Sequence, residues 1–109
     1  MIIVTEESVE KALDFMLANA RKAAEAIATR QYLEDYKSSL RSMIMIENKT
    51  ETLGAQEARA LADERYKTHL EALKIAIGEE QYLRFMMKAA ETKIDVWRTQ
   101  SSNERSARI

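Results

Sequence analysis

The sequence predicts an all-α protein built as one long antiparallel helical hairpin. Three observations carry that expectation. Among 109 residues there are two glycines and no proline, so the usual punctuation of a fold is nearly missing. The composition is rich in Ala, Leu, Glu, Lys, Arg and Met, side chains that lose little freedom in a helix. Apolar residues recur in a 4-3 rhythm, which lines one face of a helix packed lengthwise on another.

Each element follows in order. Thr5 can cap a first helix, with Glu6 and Glu7 complementing the positive end of its dipole. That helix is expected over about 6–48, on a seam of Val9, Leu13, Met16, Ala20, Ala23 and Ile27. The rhythm then slips at Arg30, Gln31 and Glu34 and resumes out of phase as Leu33, Tyr36, Leu40 and Met43. Residues 49–54, polar, threonine-rich and ended by Gly54, are expected to form the loop. A second helix is expected over about 55–100, on a seam of Ala62, Tyr66, His69, Leu73, Ala76, Leu83, Met87, Ala90, Ile94 and Trp97, interrupted by Glu80. Residues 1–100 then make a single helical domain, and 101–109 a polar basic tail.

Folding the chain back near residue 52 sets the slip in the first arm beside Gly78, so a shared kink near 28–31 and 78 is expected. The apolar arc of the second arm is wider than one seam: Ile75, Tyr82, Met86 and Ala89 flank it on one side, Leu70 and Ile77 on the other. An arc that wide needs more than one neighbouring helix. Two hairpins associating into a four-helix bundle would supply it, so a homodimer is expected.

The same inventory excludes most chemistry. Without cysteine there are no disulfides, thiolate metal sites or thiol nucleophiles. No apolar run reaches the ~20 residues of a membrane span, and the acidic start does not resemble a cationic signal region, so a cytoplasmic protein is expected. The single histidine, His69, is read as a partly buried imidazole bonded to a tyrosine or carboxylate. Tyr66 stands where a Glu-x-x-His metal motif would need its glutamate. Glu6, Glu7 and Glu10 have the spacing of a magnesium-binding helix face, but no matching second element follows, and acids at a helix start serve the dipole. No phosphate loop can be built from two glycines. The reading is therefore a non-enzyme with no cofactor and no metal.

Two surfaces remain as candidates. Met43 to Ile46 is apolar around a full helical turn, and soft methionines make adaptable contacts. Met43, Met45, Phe85 and Met86 are thus candidate contacts for a protein partner. From Arg84 to the end, six basic residues stand against three acidic, whereas residues up to Asn48 carry six basic and eight acidic. Trp97 beside Arg98, with Arg105 and Arg108 following, could stack on a base and meet phosphates. The overall charge of −1 is far from the basic footprint of a dedicated binder. Trp97 also keeps the seam register, which predicts an indole packed at the hairpin end against Val9 and residues 1–4.

Residues 32–40, from Tyr32 to Leu40, with Ala60 to Tyr66 and with 90–105, resemble small helical proteins encoded by phages and prophages, often in early, recombination or replication gene blocks. The run Val96-Trp97-Arg98-Thr99-Gln100-Ser101-Ser102-Asn103-Glu104-Arg105 is its distinctive piece. The resemblance implies a phage-type accessory or inhibitory role in the host cytoplasm and transfers no catalytic residue. Together these features predict a homodimeric helical module that binds another protein, with accessory nucleic-acid binding through the C-terminal basic segment as the alternative.

Overall fold

A computed structural model describes residues 3–108; residues 1 and 2, part of the segment expected to cover the hairpin end, and residue 109 lie outside the description. Three helices account for nearly all of it: α1 (Glu6–Glu47), α2 (Leu53–Ala62) and α3 (Glu64–Ala107), with no strand among the described residues. Thr5 does cap α1, its Oγ1 accepting from the Ser8 N–H at 3.1 Å. Thr52 caps α2 in the same way, accepting from the Ala55 N–H at 3.3 Å. Gly54 therefore lies inside α2 rather than ending the loop.

The second arm is broken, but at Asp63 instead of Gly78. Asp63 takes an extended backbone, ψ 135°, and its Oδ1 accepts the Arg65 N–H at 2.8 Å, which starts α3 as a new helix. Gly78 sits exposed inside an uninterrupted α3, and a Cβ built there would meet nothing within 4 Å. α1 is likewise unbroken through residues 28–31, so neither helix is interrupted at those positions. α3 also runs on through Ala107, where a polar tail from Ser101 was expected.

The chain divides into two compact units, Met1–Ala24 with Gln81–Ile109, and Glu25–Glu80. In the first, α1 contributes Val9, Ala12, Met16, Asn19 and Ala23 to the seam, and α3 contributes Leu83, Met87, Ala90, Ile94, Trp97 and Ser101. Antiparallel pairing is fixed at its end by the Gln100 amide, which accepts from Val4 N–H at 3.2 Å and donates to Val4 C=O at 3.0 Å. In the second unit the seam is Ala26, Arg30, Leu33, Lys37, Leu40 and Ile44 on α1 against Tyr66, His69, Leu73, Ala76 and Glu80 on α3. Here α2 adds Ala60 to a cluster with Leu40, Ile44 and Tyr66, against which Met45 packs.

The α3 seam is the one the sequence predicts. The α1 seam is not. Its 3-4 rhythm never slips; it accepts polar residues at Asn19, Arg30 and Lys37. Of the expected positions, Val9, Met16, Ala23, Leu33 and Leu40 belong to it, while Leu13, Ala20, Ile27, Tyr36 and Met43 are exposed. Each polar intruder has a partner. Asn19 donates to the Phe15 carbonyl, Lys37 meets Glu34, and Arg30 forks onto Glu80, Nε to Oε2 at 2.5 Å and Nη2 to Oε1 at 3.2 Å. The Glu80 hydrogen bond holds the guanidinium charged, raising Arg30 above its ordinary value. Arg30, at the slip in the first arm, and Glu80, the interruption in the second, are thus one ion pair.

Candidate functional site

The four candidate partner contacts divide between the units. Met43 and Met45 belong to the Glu25–Glu80 unit. Ile44 between them is 1% exposed, so this turn spends its central residue on the chain's own core. Met45 packs on that cluster, and Met43 is exposed with the Tyr36 hydroxyl 3.9 Å from its Sδ. Phe85 and Met86 belong to the other unit, both exposed, Phe85 at 68%.

What the structure shows instead are longer stripes: Leu13 and Ala20, expected in the α1 seam, lie in one, and Tyr82, Met86 and Ala89, expected beside the α3 seam, lie in the other. On α1 of the first unit, Leu13, Leu17, Ala20 and Ala24 follow their own 4-3-4 rhythm, and all four are exposed, Leu17 at 80%. On α3 of the same unit, Tyr82, Met86, Ala89 and Val96 keep a 4-3-7 spacing and are exposed too, Tyr82 at 59%. The α1 stripe was legible as a second 4-3 register interleaved with the first. Reading one register per helix merged the two.

The basic candidates do share a surface. Trp97, Arg98, Ser101, Glu104, Arg105 and Arg108 line one shallow groove along the last turns of α3. Their spacing puts them on one helix face. Arg98 lies 3.7 Å from Asp95, an exposed i, i+3 pair. Arg105 and Arg108 have no ion-pair partner among the described residues, and at a helix C-terminus they complement the negative end of the dipole. Trp97 is half-buried: it holds a seam position and also borders this groove.

His69 is partly buried and bonded, though to neither a tyrosine hydroxyl nor a carboxylate. Its Nε2 lies 2.6 Å from the Leu33 carbonyl oxygen, which can only accept, so Nε2 carries the proton. The Tyr36 ring stands 5.5 Å away, centroid to centroid, tilted by 53°. An imidazole so held is a cross-helix tie within its unit. Among the described residues no three His, Asp or Glu side chains gather to hold a metal ion, and no helix is long and apolar enough to cross a membrane. Comparison of the chain with protein-family models, curated proteins and solved structures gives no match.

The strongest polar construction lies at the α2–α3 junction. Arg65 reaches Glu47 through both terminal nitrogens, at 2.8 and 2.6 Å, and Asp63 through Nε and Nη2, at 3.1 and 3.0 Å. Hydrogen bonds from Arg65 hold both carboxyls below their ordinary values. The three groups pair with one another across the α2–α3 junction, as a structural clamp does.

Proposed function

We propose that this chain is a non-enzymatic helical interaction module that associates with itself and with another protein, in the phage-type accessory or inhibitory role that its C-terminal run resembles. The observation that carries this reading is the pair of exposed apolar stripes on the Met1–Ala24 and Gln81–Ile109 unit, with Leu17 at 80% and Tyr82 at 59% exposure. Single exposed apolar side chains are ordinary; rows of them at helix-packing intervals mark contact surfaces. Left in water, such rows forgo ~25 cal/mol for every Å2 that a partner would cover. Light scattering on the full chain at tens of micromolar tests the reading. A mass of twice 12.5 kDa or more supports it. A monomer that keeps its helicity at that concentration overturns it. Affinity capture from a phage host would then name the protein partner.

The groove of Trp97, Arg98, Arg105 and Arg108 favours a second reading, accessory binding of single-stranded nucleic acid by base stacking and phosphate contact. It predicts a shift of labelled single-stranded DNA that weakens with salt and is lost in Arg98→Ala/Arg105→Ala. Absence of any shift at low salt would remove it.

A further inference from the structure

The two stripes of the Met1–Ala24 and Gln81–Ile109 unit do not face the same way. Leu13 and Ala20 directly follow the seam residues Ala12 and Asn19. Tyr82, Met86 and Ala89 directly precede the seam residues Leu83, Met87 and Ala90. In an antiparallel helix pair, positions that follow the seam on one helix flank those that follow it on the other, and preceding positions flank preceding ones. The α1 stripe and the α3 stripe therefore lie on opposite sides of the pair. Beside the α1 stripe, α3 presents Arg84, Lys88 and Glu91; beside the α3 stripe, α1 presents Phe15 and Ala18 between Lys11 and Lys22. The first side is half apolar and half charged, the second apolar with cations at its edge.

A two-fold dimer uses the same patch on both copies. Here that would set each stripe against its own kind and leave its charges without an opposite to meet. The α1 stripe continues toward its N-terminus as Glu10 and Glu6 and contains no cation; the α3 stripe contains Lys93 and no anion. Neither Glu10 nor Lys93 has an ion-pair partner among the described residues, and both are exposed. Packing the α1 stripe of one copy antiparallel on the α3 stripe of another resolves this. Glu10 then meets Lys93, Leu13 covers Ala89, Leu17 meets Met86, and the small Ala20 and Ala24 leave room for Tyr82. The parallel arrangement of the same stripes puts Lys93 on Ala24, a stripe's length from Glu10.

We infer that a second copy of this chain docks head to tail, its α3 stripe (Tyr82, Met86, Ala89) on the α1 stripe (Leu13, Leu17, Ala20, Ala24), steered by Lys93 and Glu10. This rests on the self-association reading above and makes it specific. Because the two surfaces differ and lie on opposite sides, one contact leaves a free stripe at each end. The assembly then grows into a chain or ring instead of closing at two copies.

Complementing variants test it. Leu17→Glu disables only the α1 stripe and Tyr82→Glu only the α3 stripe, both at exposed helix positions where folding can be verified by circular dichroism. The wild-type mass should climb beyond twice 12.5 kDa as concentration rises. Each variant alone should lose assembly, and an equimolar mixture should form a one-to-one pair that stops there, because each supplies the stripe the other lacks. Glu10→Lys and Lys93→Glu should each weaken assembly, and the double exchange in one chain should restore it. A mixture that stays monomeric, or a single variant that assembles like the wild type, overturns the head-to-tail contact. A wild-type dimer whose mass never grows overturns it too, while leaving self-association standing. A wild type that is monomeric throughout overturns both.

Discussion

The two units are built on the same pair of helices, yet they are finished very differently. The Glu25–Glu80 unit has the fuller core. A third helix closes over Leu40, Ile44 and Tyr66, and cross-chain polar ties join Arg30 to Glu80, His69 to Leu33 and Arg41 to Glu57. The other unit has Val9, Ala12, Leu83 and Ala90 as its buried core, with one polar tie between Val4 and Gln100. Two of those four core residues are alanines, so little area is removed from water. Large apolar groups that could have enlarged the core, Leu17, Tyr82 and Phe85, are turned outward. Exposed apolar groups occur in the Glu25–Glu80 unit as well, among them Ile46, Leu53 and Ile75. The units differ in that only the Glu25–Glu80 unit gathers a buried cluster, Leu40, Ile44, Ala60 and Tyr66, under a third helix.

The largest test of this contrast is Ile44→Ala. Ile44 is the largest fully buried side chain of the described structure, and α2 gives its site little room to collapse. The loss should be ~3–4 kcal/mol, near the upper part of the range for large-to-small core changes. Urea or thermal melting measures it. A loss below ~1 kcal/mol would mean that the better-finished core does not carry the stability assigned to it.

Ile44 also shows how much the sequence could say. The α3 seam from Tyr66 to Trp97 was legible because eight of its ten positions are apolar, with His69 and Glu80 the exceptions. The α1 seam was not, because Asn19, Arg30 and Lys37 occupy it and the exposed Leu13, Ala20 and Ile27 offer a cleaner apolar rhythm one position away. A periodicity argument follows hydrophobicity, and here burial follows partnership: Arg30 belongs inside because Glu80 answers it fifty residues later. The break at Asp63 was hidden for a related reason. No proline or glycine marks it, and an aspartate that caps the next helix looks like any other helix-surface acid until its bond to the Arg65 N–H is seen. The groove residues Trp97, Arg98, Arg105 and Arg108 were grouped by the basic bias of the C-terminal run, while their shared face was not legible, because it depends on α3 continuing through Ala107.

The weaker unit is probed next by Trp97→Ala. A fully buried tryptophan would cost ~3–5 kcal/mol; at half-burial in the seam, ~2 kcal/mol is expected. Native-state hydrogen exchange should show the loss first in Val9–Ala23 and Leu83–Ile94. Those amides should also exchange sooner than Leu33–Ile44 in the wild type, because fewer buried contacts hold them. Equal protection in both units would remove the contrast.

Gly78→Ala acts in the opposite direction. The site is exposed, helical and free of any atom within 4 Å of the added Cβ, and its φ is not positive. Alanine should therefore stabilise by about 0.5–1 kcal/mol through the lower entropy of the unfolded chain. A destabilised variant would show that α3 needs a bend there after all, as the sequence alone had led us to expect.

The smallest effect expected is the one that depends on pH. Glu47 and Asp63 are held below their ordinary values of 4.5 and 3.8 by hydrogen bonds from Arg65. A carboxyl depressed in the folded state stabilises fully above its unfolded value, and that contribution drains away as pH falls through the folded one. Arg65 itself, raised by the same bonds, stays charged throughout and adds no pH dependence of its own. The clamp is about half exposed, so salt screens it and its share of stability is modest. Wild type should thus melt slightly above Arg65→Ala at neutral pH, and the gap should narrow steadily once the pH drops below 4.5. The same narrowing should appear at neutral pH in high salt. If the gap instead survives well below pH 3.8, the arginine contributes through the packing of its stem and not through its two carboxylates. The polar finish of this unit would then be less electrostatic than its hydrogen bonds imply.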